Sequence, residues 1–163
     1  MAIIDKIKVI LDRTILFVAS MLLVILVLGA IWQVFSRYVL QSPSTFTNEL
    51  LGFLLIWTSL LGASYAFGSN QHLALTFVTN KLNKRGELAT TILVDIIIVL
   101  FALLFLVSGG MDAVNITKVQ TTPIIGISKG LVYSIIPISG LIIIIYKLLG
   151  IKKYKYIVQK EGE

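Results

Sequence analysis

The chain has 163 residues, of which 57% are hydrophobic and only 13% charged, with a net charge of +6, no cysteine and one histidine; its mean hydropathy is +0.96. An average soluble domain carries roughly 25% charged residues, so a soluble globular protein is excluded, and the missing cysteines remove disulfides, thiolate metal centres and thiol redox chemistry. The basic excess flanks apolar runs and forms no stripe with interleaved aromatics, which points to membrane topology and away from nucleic acid.

At the start, Ile3, Ile4, Ile7, Ile10 and Leu11 fall at helical spacing, with Asp5, Lys6, Lys8, Asp12 and Arg13 between them. One apolar and one charged face over 2–13 predict a helix lying on the membrane surface, or a wet extension of the helix that follows. The uncharged run 14–36 is too long for the apolar part of a signal peptide and no small-residue cleavage site follows it, so it reads as a retained anchor. A polar turn containing Ser42, Pro43 and Ser44 leads to a second apolar run, 50–68; a third covers 88–110 and contains Asp95, and a fourth covers 130–149 and contains Pro137. Each supplies about 20 residues, enough at 1.5 Å per residue to cross a hydrocarbon core of about 30 Å. Pro137 removes a backbone hydrogen bond and predicts a kink, with a neighbouring helix or the Ser134 hydroxyl available to the freed carbonyl.

Between the second and third runs, Leu73, Phe77, Val78 and Leu82 share one side of a helix over 72–84, while Lys81 and Lys84 reach for headgroups. The alternation Leu73, Leu75, Phe77 also suits a strand, but a lone strand beside lipid leaves its backbone unpaired, so an interfacial helix is expected. Lysine and arginine divide unevenly between the two sides of this arrangement. Eleven fall with the termini and the middle loop, against Arg37, Lys118 and Lys129 opposite. That asymmetry places both termini in the cytoplasm. With no internal repeat or linker, the expected fold is a single domain over 1–163, an all-α integral membrane protein of four transmembrane helices joined by short loops, each antiparallel to the last.

Few residues in this pattern can carry chemistry. Arg37 and Glu49 end one helix and begin the next, so an ion pair across the hairpin is expected, either as a clamp or as a feature facing another polypeptide. Asp95 lies about 10 Å along the axis inside the third helix. A carboxylate there must be paired, hydrated or protonated, with Thr90, Thr91, Lys84 or Arg85 as nearby partners, and its roles range from helix packing or partner contact to proton relay. Trp57 stands in mid-helix and needs an acceptor for its indole N–H, so it points at protein, within this chain or on a second one. Gly62 and Ala66, four apart on the same helix, permit close backbone approach. Trp32 and Tyr38 fit an aromatic belt, and Lys81, Lys84, Arg85 and Lys147 fit headgroup anchors; His72 falls in a wet loop and reads as solvated. No nucleophile elbow, phosphate-cradling loop, metal cluster or working carboxylate pair is present in the sequence, and no inverted repeat builds a midplane transport site, which points to a non-enzymatic accessory subunit.

Several segments resemble one family: FSRYVL at 35–40, Glu49 opening the second helix, FLLIWTSLLGASYAF at 53–67 followed by His72 and Leu73, TPIIGIS at 122–128 and YSIIPISG at 133–140. Together they are similar to the small membrane subunit of tripartite ATP-independent periplasmic (TRAP) transporters, over essentially the whole chain. The family typically has a tryptophan or similar aromatic shortly before the acid of the second helix, where this chain has Phe46. The resemblance implies a scaffold in the bacterial inner membrane, beside a large membrane subunit that carries the sodium and substrate sites. An extracytoplasmic binding protein would deliver an organic acid of the sialic acid or dicarboxylate type. It implies no cofactor in this chain, and makes Arg37, Glu49 and Trp57 the expected contacts. The alternatives are a self-sufficient small oligomeric channel or proton-coupled exporter using Asp95, and a membrane enzyme or cofactor-binding subunit, which the cysteine and histidine counts disfavour.

Overall fold

The computed structural model describes residues 2–68 and 84–150. Helix α1 (Ala2–Tyr38) is one unbroken element of 37 residues, about 55 Å long at 1.5 Å per residue. The separate surface helix expected at 2–13 is therefore an extension of the first span. No glycine or proline occurs before Gly29, so nothing in the backbone chemistry interrupts the helix at residue 13.

Helix α2 (Thr45–Gly68) begins five residues before the expected start at 50. Ser44 is the reason: its Oγ accepts the Thr47 N–H at 3.3 Å and lies 2.8 Å from the Thr47 hydroxyl, capping the first turn. Residues 72–83 of the expected interfacial helix, with His72 and Lys81, lie outside the described residues, as do the side chains of Lys84 and Arg85. The third span joins α3 (Lys84–Phe101), a π-helical segment (Ala102–Gly109) and α4 (Gly110–Thr117) without a gap. It passes straight through Gly109 and Gly110, where the sequence reading ended it. Gly110 permits contact: a Cβ there would lie 2.9 Å from the backbone nitrogen of Pro137 on the neighbouring span.

The fourth span is α5 (Lys129–Tyr133) followed by α6 (Ile135–Gly150). The expected kink is a break at Ser134, one turn ahead of Pro137, where the proline lacks an N–H for the Tyr133 carbonyl and its ring crowds it. The Ser134 hydroxyl does not serve that carbonyl; it donates to Leu131 O at 2.7 Å.

All four spans are long and apolar enough to cross a membrane. They form an open row. The first span packs on the second, the second on the fourth and the fourth on the third, while the second and third, consecutive in the chain, share no substantial contact among the described residues. The fourth span is the axis of this row, with 44% of its apolar window buried against 6%, 11% and 6% for the first three. Lipid supplies no hydrophobic drive between helices, so close packing of small residues has to hold them. Ser64 and Ser139 are fully buried between α2 and α6, Ser64 Oγ donating to Leu60 O at 2.8 Å and to Ser139 O at 3.3 Å. Gly68 lies against the Tyr146 ring, and a Cβ on Gly140 would come within 3.1 Å of Ala102 O. Ile15, Leu61, Ile135 and Tyr146 form the small apolar core around these contacts.

Candidate functional site

The polar side chains gather at the two ends of the row. At the end where α1 turns into α2, Glu49 sits in the second turn of α2, and its Oε2 accepts the N–H groups of Ile124 and Ile125 at 3.1 and 3.0 Å. Those amides belong to the tip of the loop joining the third and fourth spans. The loop closes on itself through Thr122 N–H to Ile127 O at 2.8 Å, Ile127 N–H to Thr122 Oγ1 at 3.1 Å, and Lys129 N–H to Gln120 O at 2.8 Å. Gly126, at φ 76°, supplies the left-handed residue that such a turn needs. Glu49 therefore pins an ordered loop to the second span.

The ion pair expected between Arg37 and Glu49 does not form; the Glu49 carboxylate is directed instead at the loop amides of Ile124 and Ile125. Arg37 is exposed at the end of α1 and lines, with Gln33, Ser44, Asn48, Glu49 and Pro123, a cavity of about 350 Å³. Gln33 Nε2 donates to Asn48 Oδ1 at 2.8 Å across the same hairpin. Trp32 and Tyr38 stand more than half exposed on α1 at this level, where an aromatic belt would lie.

Trp57 donates its indole N–H to Val132 O at 3.0 Å. The acceptor is in α5, just ahead of the break at Ser134, so Trp57 braces the second span against the interrupted fourth one. Among the described residues Gly62 mediates no close helix contact: it is exposed, as Ala66 is, and a Cβ on Gly62 would meet nothing within 4 Å. The close approaches on α2 are made by Ser64 and Gly68, on a face rotated from the one the sequence suggested.

At the opposite end, Lys147 Nζ lies 2.7 Å from Asp95 Oδ1, with side chains 5% and 24% exposed respectively. The cation meeting Asp95 comes from the fourth span, whereas the sequence reading looked to its own helix. Lys147 is correspondingly not the headgroup anchor expected of it; its ammonium turns inward to the carboxylate. Its neighbour Tyr146 donates its hydroxyl to Asp12 Oδ1 at 2.6 Å. Successive residues on a helix point about 100° apart, so Tyr146 and Lys147 reach two different neighbours, α1 and α3, from one turn of α6.

A polar pair or brace links each neighbouring couple of spans while the wide apolar surfaces stay outward, and residues 26–151 match the family described as tripartite ATP-independent periplasmic transporters, DctQ component. The chain belongs to the DctQ family. A TRAP transporter small permease protein of Haemophilus influenzae is 30% identical over 107 residues, 66% of each chain. The sialic acid TRAP transporter small permease protein SiaQ of Vibrio cholerae is 25% identical over 117 residues, 72% of this chain and 67% of its own. The sialic acid TRAP transporter permease protein SiaT of Haemophilus influenzae is 25% identical over 110 residues, 68% of this chain but only 18% of its own. This chain thus spans about two thirds of the length of the first two relatives and a small part of the third. The DctQ component is part of a transporter, not an enzyme, and this chain is a multi-pass membrane protein.

Three partners in this DctQ chain escaped the sequence reading. The loop amides that meet Glu49 carry no side-chain signature, although TTPIIG, with proline and glycine around two isoleucines, marks a tight turn. Lys147 sits beside a basic tail and reads as one more anchor. Asp12 and Tyr146 lie 134 positions apart, and only the packing of the first span near the fourth brings them together.

Proposed function

We propose that this chain is the small, non-catalytic scaffold of a sodium-coupled TRAP transporter. It lies in the bacterial inner membrane with both termini cytoplasmic and holds a larger permease that carries the sodium and substrate sites. The substrate is an organic acid of the sialic acid or dicarboxylate type, handed over by a periplasmic binding protein. The observation that carries this reading is the engagement of Asp95, the acidic residue within the apolar part of the third span, with Lys147 of the fourth span at 2.7 Å. A carboxylate committed to holding two helices together serves a static frame; a proton relay needs it exchangeable. The excess of eleven basic residues on the terminal side over three opposite supports the orientation. The relatives named for sialic acid support the substrate class, and the small share of SiaT that this chain matches supports a larger partner.

The test is purification of the tagged chain from native membranes in mild detergent, followed by mass spectrometry. A permease of ten or more predicted helices in equal amount is the expected result. Recovery of copies of this chain alone would remove the scaffold reading. Uptake of radiolabelled sialic acid and of dicarboxylates, with and without a sodium gradient, then identifies substrate and ion.

A further inference from the structure

The cavity of about 350 Å³ at the hairpin of α1 and α2 is lined by two opposite charges that the fold leaves apart. Arg37 comes from the last turn of α1 and Glu49 from the start of α2. The hairpin closes without Arg37: Ser36 Oγ donates to Ser42 O, and Gln33 Nε2 to Asn48 Oδ1 at 2.8 Å. A guanidinium carries five N–H donors, and among the described residues that of Arg37 meets no acceptor and no carboxylate within ion-pair distance. Glu49 is half used. An ionised carboxylate offers about four acceptor positions, and the amides of Ile124 and Ile125 take two of them. Pro43, Pro123 and Ile124 add apolar surface to the same lining. Arg37 directly follows the uncharged run 14–36, and Trp32 and Tyr38 beside it are more than half exposed, so the cavity opens at the level of lipid headgroups.

A ligand for this place needs acidic oxygens for the guanidinium and an N–H donor for the carboxylate. Phosphate suits the first, because the arginine fork can give it two parallel hydrogen bonds. An anion with no balancing cation would bring its charge up to Glu49 and be repelled. A quaternary ammonium has no N–H to offer. A phosphate ester that also carries a primary ammonium satisfies both ends, and basic pockets between membrane helices are places where headgroups bind. We propose that this cavity is a binding site for a phosphoethanolamine headgroup, its phosphate on Arg37 and its ammonium on Glu49, and that a membrane phospholipid is the source. A phospholipid reaches a headgroup-level cavity by lateral diffusion, already oriented. Once bound, it links the end of the first span to the start of the second and to the loop that Glu49 pins.

The experiment extracts the tagged full-length chain in mild detergent, washes it free of lipid and titrates it by native mass spectrometry. The ligands are phosphatidylethanolamine, phosphatidylcholine and phosphatidylglycerol of one acyl composition, and soluble glycerophosphoethanolamine. One equivalent of phosphatidylethanolamine is expected, bound at least tenfold more tightly than the other two lipids and than the soluble ester. Arg37→Gln should weaken that binding at least tenfold. Lys118→Gln, the same loss of charge at the foot of the nearby loop, should leave it unchanged. Equal binding of the three lipids would mark ordinary contact with the surrounding bilayer and overturn the proposal, as would an Arg37→Gln variant that binds like the parent. Soluble ester bound as tightly as the lipid would overturn the membrane source. Circular dichroism and detergent unfolding of Arg37→Gln should match the parent chain, because the fold does not use the guanidinium; a destabilised variant would give Arg37 a structural task and overturn the assignment.

Discussion

The first and fourth spans are both membrane-spanning helices and are opposite in use. Both are apolar enough to cross a bilayer, yet 6% of the apolar window of the first is buried against 44% in the fourth. Hydropathy reports transfer into lipid and cannot separate a helix that faces lipid from one that faces protein, because lipid tails are as apolar as a protein core. The difference lies in small and polar residues. The fourth span carries Pro137, Ser139, Gly140, Tyr146 and Lys147, each against a neighbour or buried. The first span contributes mainly Ile15 to the core, Gly29 against Leu51, and Asp12 to Tyr146. Among the described spans, the axis of the fold is the one that a proline breaks.

Substitutions can break that contrast or sharpen it. The largest effect is expected from Gly110→Leu or Gly140→Leu, which drive side chains into the backbone of the adjoining span; about 3 kcal/mol of destabilisation should appear in detergent unfolding curves. Gly62→Leu on the open face of α2 is the control, with a change below about 0.5 kcal/mol. If the two sites respond alike, the inner and outer faces have been misassigned. Next comes Lys147→Met, which removes the ammonium facing the Asp95 carboxylate. Fully buried pairs lose about 3–5 kcal/mol on such a change, and the partial exposure of Asp95 reduces the expectation to about 2 kcal/mol. Adding Asp95→Asn should recover part of the loss, and strictly additive losses would show that the two groups do not interact.

Glu49→Gln weakens a charge-assisted bond to two loop amides, with an expected cost of about 1 kcal/mol. Hydrogen exchange at Ile124 and Ile125 should quicken roughly in proportion, about fivefold, and unchanged exchange would mean that the loop holds itself. Trp57→Phe keeps an aromatic ring and removes the bond to Val132 O, for about 1 kcal/mol or less. At the bottom of the scale is Val24→Leu on the exposed first span, expected to change stability by less than about 0.5 kcal/mol. A loss comparable to that of Lys147→Met would place the first span inside a contact.

Four spans, their order and much of their length were legible because uncharged runs of about 20 residues have few alternative uses. The ends were less legible. Ser44 moved one start forward by capping it, and the helix ran on through Gly109 and Gly110, of which Gly110 lies where another span presses close. Trp57 could be read as needing an acceptor, but not which one, since Val132 O lies 75 positions away. For Asp95 and Glu49 the sequence located the charges but did not point to Lys147 or to the loop amides. Local rules favour neighbours in the chain, whereas Asp95 is met from another span and Glu49 by backbone amides that side-chain chemistry cannot announce.

The loop pinned by Glu49 has a thermodynamic consequence. Ordering a flexible segment on association costs about 0.5–1.5 kcal/mol for each side chain immobilised. Here Ile124 and Ile125 are already held by the carboxylate, Thr122 is 3% exposed and Gly126 has its left-handed conformation. Whatever lands on that end of the molecule meets a surface whose shape was chosen during folding, so recognition there is closer to lock and key than to mutual adjustment.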